Sequence, residues 1–295
     1  MFMGNQIELR HIRYFLAVAE ELHFRKAAER LYISQPGLSR QIKQMEDDLG
    51  IKLFERNNRK VNLTKVGLYL QTELSRKLKN LDHIFIHAKL LQEGKNGILN
   101  LGYVGSAMHK IIPDLLLKFK KDHPNVLFNL KEMDNKKQIE NLFLQNIDVS
   151  FTRLERVSRD LNILQVLKEP FCLVLPKDYP IDSTNFKDIS QFKNESFILF
   201  DQEFSPSYYK KVMQIFDDSG FTPQISHNTI HASTIYKLVE NKLGIAIVPK
   251  SLQLKFYKNV KFIELDKIPQ RTILSIVWDD NNTNPILEIL LNYFK

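Results

Sequence analysis

Apolar side chains in the first 50 residues recur at intervals of three and four, which is the period of an amphipathic α-helix. This spacing predicts a first helix over residues 12–19, a second that begins at Phe24, and a third between Ser34 and Gly50. Ser34 can accept a hydrogen bond from an amide of the first turn, and Gly50 can end the helix in a left-handed conformation. The pattern therefore predicts three short helices around one small core.

The third predicted helix has two contrasting faces. Its apolar stripe begins at Leu38 and ends at Leu49, and Pro36 lies in the first turn, where a missing N–H costs little. The opposite face presents side chains that can hydrogen-bond base edges and phosphates, namely Gln35, Ser39, Arg40 and Lys43. This combination favours a helix-turn-helix that displays its second helix to DNA. The alternative is a small helical subdomain whose polar face is only solvated.

Two short β-strands, IKLFER and KVNLT, follow the third helix and predict a hairpin that turns at Asn57 and Asn58. Arg56, Arg59 and Lys60 lie near this tip. A basic hairpin in this position is typical of the wing of a winged helix, which contacts the adjoining DNA backbone or groove. The alternative is an exposed basic turn without a partner.

A longer apolar period begins at Thr64 and ends near Gly94, which predicts one long helix. Its stripe has spacings of three and four residues and consists of Leu70, Leu74, Leu78, Leu81, Phe85 and Ala88. Because such a stripe on an isolated helix needs a partner, it predicts a dimer seam. The segment GKNG at residues 94–97 would then be a hinge.

From residue 98 to the end, short apolar strands alternate with helical segments of about 10–15 residues, a pattern typical of parallel α/β units. We expect two such subdomains after residue 97. The predicted strands are residues 98–104, 126–133, 147–151, 171–176, 196–200, 224–228, 245–249, 260–265 and 272–279, and the predicted helices are 111–124, 136–146, 208–220, 233–244 and 284–294.

Charge and composition narrow the choice of partner. The 295-residue chain has a formal net charge of +8, and residues 1–65 hold 12 basic and 8 acidic side chains, which favours a polyanion. The single cysteine, Cys172, excludes an intramolecular disulfide and lies in an apolar run, so we expect it to be buried. We find no signal-peptide core and no stretch near the roughly 20 apolar residues of a membrane span, and we expect a cytoplasmic protein.

No catalytic or metal-binding motif is present: GxSxG, HExxH and the P-loop are missing, and the histidines have no metal-ligand spacing. We therefore expect neither an enzyme nor a cofactor. Polar residues instead follow several predicted strands, where open α/β sheets bind ligands. These candidates for a ligand cleft are Ser106, Asn135, Thr152, Arg153, Phe204, Ser205, Pro206 and Thr229. Arg153 would favour an anion. Each could instead be an ordinary polar cap, and His109 could line the cleft or be solvated.

The segment LRHIRYFLAVAEELHFRKAAERLYISQPGLSRQIKQMEDDLGIKLFERNNRKVNLTKVG closely resembles the winged helix-turn-helix of the LysR-type transcriptional regulators. LGYVGSAMHKIIPDLL, IDVSFTRL, EPFCLVLPKDYPI, DSGFTPQI and LVENKLGIAIVP resemble the effector domain of that family. GYVGSAMHKIIP and IDVSFTRL are most similar to regulators of aromatic-acid catabolism, which sense benzoate or muconate-like acids.

The resemblance implies an α/β protein with three parts: a winged helix-turn-helix at 1–65, a dimerising linker helix at 66–94, and a two-lobed effector domain at 95–295 like that of periplasmic binding proteins. Lobe I would be 97–168 with 273–295, and lobe II 169–272. The implied partners are double-stranded operator DNA, a small organic acid, RNA polymerase, and further copies of the chain in a dimer and tetramer.

By position, the resemblance assigns DNA contacts to Gln35, Pro36, Ser39 and Arg40, and a wing contact to Arg56. It assigns effector contacts to Ser106, Asn135 and Arg153, with Ser205 and Pro206 opposite them.

Two positions depart from the family pattern. Gly37 replaces a usual Pro or Ala, which would loosen the first turn of the recognition helix, and Asn135 replaces a usual Thr or Ser of the pocket. Two other classes remain open at this point: a two-lobed small-molecule-binding protein, or an enzyme, with an accessory DNA-binding head.

Overall fold

The computed structural model describes residues 7–56, 61–92, 97–109, 111–253 and 257–294. The chain divides into two compact units, Met1–Phe85 and Ile86–Lys295. No helix in the described ranges is long and apolar enough to span a membrane.

The first unit contains three helices, a β-hairpin and a long helix. Its elements are α1 (Leu9–Glu21), α2 (Phe24–Arg30), α3 (Gln35–Leu49), β1 (Phe54–Arg56), β2 (Val61–Leu63) and α4 (Lys65–Gln92). β1 and β2 pair antiparallel, with Phe54 opposite Leu63. The core consists of apolar residues from the three short helices and the start of the hairpin, among them Phe15, Leu38, Ile42 and Leu53, all with no exposed surface. This confirms the predicted three-helix unit, although α1 extends beyond residues 12–19 at both ends.

The ends of α3 follow from its sequence. The hydroxyl of Ser34 accepts a hydrogen bond from the Gly37 amide at 3.3 Å. Gly50 ends the helix with φ +65°, a conformation that glycine adopts without strain. The predicted start and end of the third helix are therefore correct.

A buried carboxylate ties the hairpin to α3. Glu46 is only 4% exposed, and its Oε1 accepts hydrogen bonds from the amides of Leu53 and Phe54 at 2.8 and 3.2 Å. Lys52 lies 3.8 Å from the same carboxylate. The sequence does not predict this role, because Glu46 looks like one more polar residue of an amphipathic helix.

The apolar stripe of α4 has two environments. Leu70, Leu74 and Leu78 pack against the core of the first unit. Among the described side chains of the helix, the large exposed apolar residues are Val66, Leu68, Tyr69, Ile84, Phe85 and Ile86. These three leucines are half-buried and help to cover the core of their own unit, and the dimer seam stays a prediction.

The second unit contains two five-stranded sheets with helices packed on them. The first-lobe sheet has the strand order β4-β3-β5-β12-β6 and consists of β3 (Gly97–Tyr103), β4 (Val126–Glu132), β5 (Val149–Thr152), β6 (Leu161–Glu169) and β12 (Thr272–Asp279). The second-lobe sheet has the order β11-β7-β10-β8-β9 and consists of β7 (Phe171–Pro176), β8 (Ser196–Phe200), β9 (Gln224–Thr229), β10 (Ile245–Pro249) and β11 (Val260–Glu264). The helices are α5 (Ile111–Asp122), α6 (Asn135–Phe143), α7 (Pro206–Asp218), α8 (Ala232–Glu240) and α9 (Pro285–Leu291).

Both sheets are mixed, which corrects the expectation of purely parallel units. β3 pairs parallel with β4 and β5, but β12 runs antiparallel to β5 and β6. In the second lobe β10 is parallel to β8 and antiparallel to β7. β6 was not predicted, because most of its residues are only half-buried and give no strong alternation.

The central strands of each sheet are more buried than the edge strands β4 and β9. Every residue of β7 and β10 is buried, which matches their continuous apolar sequences. Cys172 of β7 has no exposed surface, and burial raises the pKa of its thiol to about 12. The expectation of a buried cysteine is therefore correct.

Candidate functional site

The exposed face of α3 is the first candidate site. Gln35, Pro36, Arg40 and Lys43 are exposed, and Ser39 is half-buried. Because α3 buries Leu38, Ile42 and Met45 on its other side, these polar residues point away from the core. The structure therefore brings five of the seven predicted DNA-contacting residues onto one exposed helix face.

Arg40 and Lys43 differ from most other basic side chains of this unit. Arg10, Arg13, Arg25 and Arg30 each lie within 4 Å of a carboxylate. For Arg40 and Lys43 no such ion pair occurs in the described part of the unit. Two uncompensated cations on a projecting helix form a surface suited to phosphates.

The predicted wing contacts can be placed only in part. Arg56 is the last residue of β1, and its side chain lies outside the described part of the structure, as does the whole of Arg59. Their assignment stays a prediction.

Gly37 sits inside a regular first turn of α3. A Cβ atom added at Gly37 would lie 2.9 Å from the Ser34 hydroxyl oxygen. The glycine therefore allows Ser34 to cap the helix closely, and the loosening of this turn stays a prediction.

A cavity of about 280 Å³ in the second unit is the other candidate site. It opens at the carboxyl ends of β3, β4, β5, β8, β9 and β10, where the sequence predicts a ligand cleft. Both lobes contribute to its wall. The aliphatic, methionine and phenylalanine side chains that line it are Val104, Met108, Phe200, Phe204, Ile230 and Leu252. The polar and ionisable side chains that line it are Ser106, His109, Glu132, Arg153, Ser205, Tyr208, His231, Ser233 and Tyr257. Polar residues outnumber apolar ones in this wall, but most of its surface is apolar, as is typical of small-molecule sites.

Half of the predicted effector contacts line this cavity. Ser106, Arg153, Phe204 and Ser205 do so, and Asn135, Thr152, Pro206 and Thr229 are not among the lining residues. The hydroxyl of Thr152 accepts from the Leu154 amide, and that of Thr229 from the His231 amide, both at 3.4 Å. Pro206 is the first residue of α7. These three residues therefore shape the loops behind the cavity wall.

Asn135 lies behind the cavity wall and contacts the backbone of Arg153. It is 3% exposed, and its Oδ1 accepts a hydrogen bond from the backbone amide of Arg153 at 3.0 Å. Its side-chain nitrogen is buried without a hydrogen-bond partner among the described residues. In this structure Asn135 positions Arg153 and does not reach the cavity.

Arg153 lies at the floor of the cavity in a buried polar network. It is 4% exposed and forms an ion pair with Glu169 at 2.8 Å. The Ser106 hydroxyl accepts from Nε and Nη2 of Arg153 at 3.1 and 3.0 Å. Thr272 and Ser251 accept from Nη1 and Nη2 at 3.3 and 3.0 Å. Burial lowers the pKa of the guanidinium, and Glu169 opposes this shift.

Glu169 completes this network from the strand that leaves the first lobe. Its carboxylate accepts hydrogen bonds from the amide and the hydroxyl of Ser251 at 2.6 and 2.8 Å. Ser251 belongs to the second lobe, whereas Ser106 and Thr272 belong to the first. Arg153 and Glu169 both belong to the first lobe, and their hydrogen bonds to Ser251 join this lobe to the second, beside the point where the chain passes between them. The ion pair neutralises the charge of Arg153.

Ser205 offers a hydroxyl with no internal partner. It is 8% exposed, lines the cavity and precedes the first residue of α7, yet its side chain makes no capping hydrogen bond. No hydrogen bond of this hydroxyl occurs within the described residues. Because this hydroxyl lines the cavity and is not engaged by the protein, it is available to hydrogen-bond a ligand.

Sequence reasoning missed several lining residues. Glu132, His231 and Tyr208 were not singled out, and His109 was left open between the cleft and solvent. Desolvation lowers the pKa of His109, and the nearby Glu132 carboxylate opposes this shift. Glu132 ends β4 and His231 directly precedes α8, so strand-end position was a usable signal for both. Tyr208 gives no such signal, because it lies within α7.

Comparisons with known proteins identify the family of both parts of the chain. Residues 9–68 match the family "Bacterial regulatory helix-turn-helix protein, lysR family", and residues 92–295 match the "LysR substrate binding domain". The chain is 33% identical over 282 residues to the transcriptional regulator AlsR of Bacillus subtilis, which covers 96% of this chain and 93% of AlsR. It is 32% identical over 261 residues to the regulator BenM of Acinetobacter baylyi, covering 88% and 86%.

Solved structures are similar over almost the whole chain. Full-length CbnR complexed with its target DNA matches with a TM-score of 0.70 and 25% identity, covering 98% of this chain and 99% of CbnR. Full-length BenM matches with a TM-score of 0.58 and 29% identity, covering 98% and 95%. The homologues are named as transcriptional regulators and not as enzymes. The chain therefore belongs to the LysR family of DNA-binding transcriptional regulators, with a helix-turn-helix followed by an effector-binding domain.

Proposed function

We propose that this protein regulates transcription in the cytoplasm by binding operator DNA through α3 and the hairpin, under the control of a small effector held between the two lobes. The observation that supports it most is the exposed face of α3, where Arg40 and Lys43 have no ion-pair partner in the described unit. CbnR, which shares the fold, was solved with its target DNA. Contact with RNA polymerase would follow at the promoter.

Within this proposal the side chains of α3 divide by chemistry. Gln35, Ser39 and Arg40 read base edges, because amide, hydroxyl and guanidinium groups pair with the donors and acceptors of the major groove. Pro36 packs against the DNA, and Lys43 contacts phosphate. Arg56 and Arg59 of the hairpin would add backbone contacts and salt dependence.

Replacing Arg40 tests the DNA-binding assignment. We expect Arg40→Ala to weaken binding to a duplex selected in vitro with the wild-type protein by about 5- to 150-fold, the equivalent of about 1–3 kcal/mol for a lost base contact. Fluorescence anisotropy with labelled duplex measures this change.

Arg10→Ala is the matched control, because it removes the same charge from the same unit at a side chain already paired with Glu8. Equal losses in the two variants would show a general charge effect and contradict the assignment of Arg40 to base recognition.

The effector proposal rests on the cavity. A volume of about 280 Å³ with a mainly apolar wall suits a compact organic molecule. We propose that Ser106 and Ser205 hydrogen-bond its polar group and that Phe204 packs against its apolar part. Four predicted contacts act indirectly in this proposal. Asn135 acts through Arg153, and the loops behind the wall are shaped by Thr152, Pro206 and Thr229.

Arg153 no longer supports the prediction of an anionic effector, whereas the neutral hydrogen-bond donors of the cavity still do. Arg153 faces inward, but its charge is neutralised by Glu169 at 2.8 Å, so it offers no free cation to an acid. The remaining support is a set of neutral donors, chiefly the hydroxyl of Ser205 at the start of α7. We therefore propose that these donors hold an aromatic or dicarboxylic organic acid.

The aromatic-acid subgroup is not singled out by overall similarity. The chain is 32% identical to BenM and 33% identical to both CatR of Pseudomonas putida and AlsR. Support for an aromatic ligand comes instead from the motifs GYVGSAMHKIIP and IDVSFTRL and from the aromatic residues Phe200, Phe204 and Tyr257 in the wall.

Self-association is proposed through exposed apolar residues in the second half of α4. Ile84, Phe85 and Ile86 are 50–62% exposed and adjoin one another in sequence. A second copy of the chain would cover them, and contacts between effector-binding domains would complete a tetramer.

A further inference from the structure

Tyr32 is an exposed aromatic residue whose side chain does not contribute to the described core of the first unit. It lies in the turn between α2 and α3, and 95% of its surface is exposed. No hydrogen bond of its hydroxyl and no ring contact occurs within the described residues. An isolated exposed tyrosine gains nothing from burial, so its side chain does not stabilise this unit.

The backbone at Tyr32 also disfavours tyrosine. Its φ of +55° lies in the left-handed region. The amide of Tyr32 donates to the Glu29 carbonyl at 3.2 Å, and that of Ile33 to the Ala28 carbonyl at 3.1 Å. This is the helix ending in which glycine is preferred, because any Cβ there is strained. Leu22 and Lys242 share this backbone conformation, so the position of Tyr32, and not the strain alone, indicates its role.

The position of Tyr32 identifies the binding partner. It precedes Ser34, the cap of α3, by two residues, and Gln35 and Pro36 of the exposed face follow directly. In helix-turn-helix complexes the start of the second helix enters the major groove, so the turn before it runs close to a DNA strand. Tyr32 thus extends the DNA-binding face of α3 toward the backbone.

We propose that Tyr32 contacts the sugar–phosphate backbone, with its hydroxyl donating a hydrogen bond to a phosphate oxygen and its ring packing on a deoxyribose. Hydroxyl donors to phosphate fix the register of a protein on a duplex without reading its sequence. The inference rests on the proposed binding of DNA through α3.

The variant Tyr32→Gly separates stability from binding. Glycine relieves the left-handed strain, so we expect a melting temperature at least equal to that of the wild-type protein. Affinity for DNA should fall about fivefold, and Tyr32→Phe should show part of that loss, because it removes only the hydroxyl. Anisotropy is measured with the full chain on two labelled probes, the in vitro selected duplex and a random-sequence duplex. The loss should be similar on both.

Leu22→Gly is the matched control. Leu22 is also exposed, has φ +47° and lies at the other end of α2. We expect its substitution to leave affinity for both duplexes unchanged.

Four results would overturn the proposal. If Tyr32→Gly binds DNA as tightly as the wild type, Tyr32 does not touch DNA. Its exposed ring would then be assigned to contact with a protein partner. A loss confined to the selected duplex would show a base contact. A loss accompanied by a lower melting temperature would show a structural role. If the wild-type protein binds neither duplex, DNA binding itself fails, and Tyr32 fails with it.

Discussion

Arg153 and Glu169 form a buried ion pair at 2.8 Å beneath the cavity, and each charge is compensated by the other. Arg153 was predictable as a cleft residue, because it directly follows a strand. Its partner was not, since Glu169 reaches it only through the pairing of β6 with β12, in which Thr272 lies opposite Glu169. Local sequence therefore identified the cation but not the charge that neutralises it.

Removing the cation should be costly. We expect Arg153→Met to lower the free energy of unfolding by about 3–5 kcal/mol, because Glu169 would remain buried without its cation. Urea denaturation of the full-length protein followed by circular dichroism measures this change. Arg156→Met, at an exposed position three residues later, is the control. A loss below about 1 kcal/mol for Arg153→Met would mean that water reaches the pair.

At the scale of elements, periodicity predicted where α4 begins and ends to within two residues. It could not decide which side of the helix packs within the unit, since one stripe serves either a partner helix or the helix's own core. Gly67 helps to determine how α4 packs within the unit. A Cβ atom there would lie 2.1 Å from the backbone carbonyl oxygen of Leu53, so α4 can approach the start of the hairpin only with glycine at this position.

Gly67→Ala should therefore separate α4 from the hairpin. We expect a loss of about 1–3 kcal/mol in the free energy of unfolding, because the obstructing atom belongs to the backbone and cannot rotate away. Thermal and urea denaturation measure it. Leu68→Ala, at the next and exposed position, should have a much smaller effect. Equal stability of Gly67→Ala and wild type would contradict the close packing.

The exposed apolar part of α4 gives a second expectation at this scale. Phe85 is 62% exposed, and the proposed contact with a second copy would bury it. Phe85→Glu should weaken self-association at least tenfold, because a charged side chain would lose its water in the interface. Sedimentation velocity over a concentration series tests this, with Lys77→Glu as a charge-changing control on the same helix. An unchanged association constant would place the dimer contact elsewhere.

At the scale of the whole molecule, alternating strands and helices predicted two α/β lobes and a cleft at their strand ends. The antiparallel return of β12 escaped prediction, because its pairing joins residues more than 100 positions apart. That return matters for function. It places Thr272 of the first lobe beside Arg153, which also donates to Ser251 of the second lobe, so residues of both lobes meet under the cavity. A ligand that touches both lobes can shift their arrangement only if it binds one arrangement more tightly.

The most direct measurement of effector control is thermal denaturation of the full-length protein with a panel of small aromatic and dicarboxylic acids and their neutral amides. The wild-type protein is compared with Ser205→Ala and with Ser207→Ala, a serine of the same helix that does not line the cavity. We predict that at least one acid stabilises the wild type, by about 2.7 kcal/mol at 100 times its Kd. The stabilisation should persist in Ser207→Ala, fall in Ser205→Ala, and exceed that of the matching amide. Stabilisation by no member of the panel, or equal stabilisation of all three proteins, would contradict effector binding at this cavity.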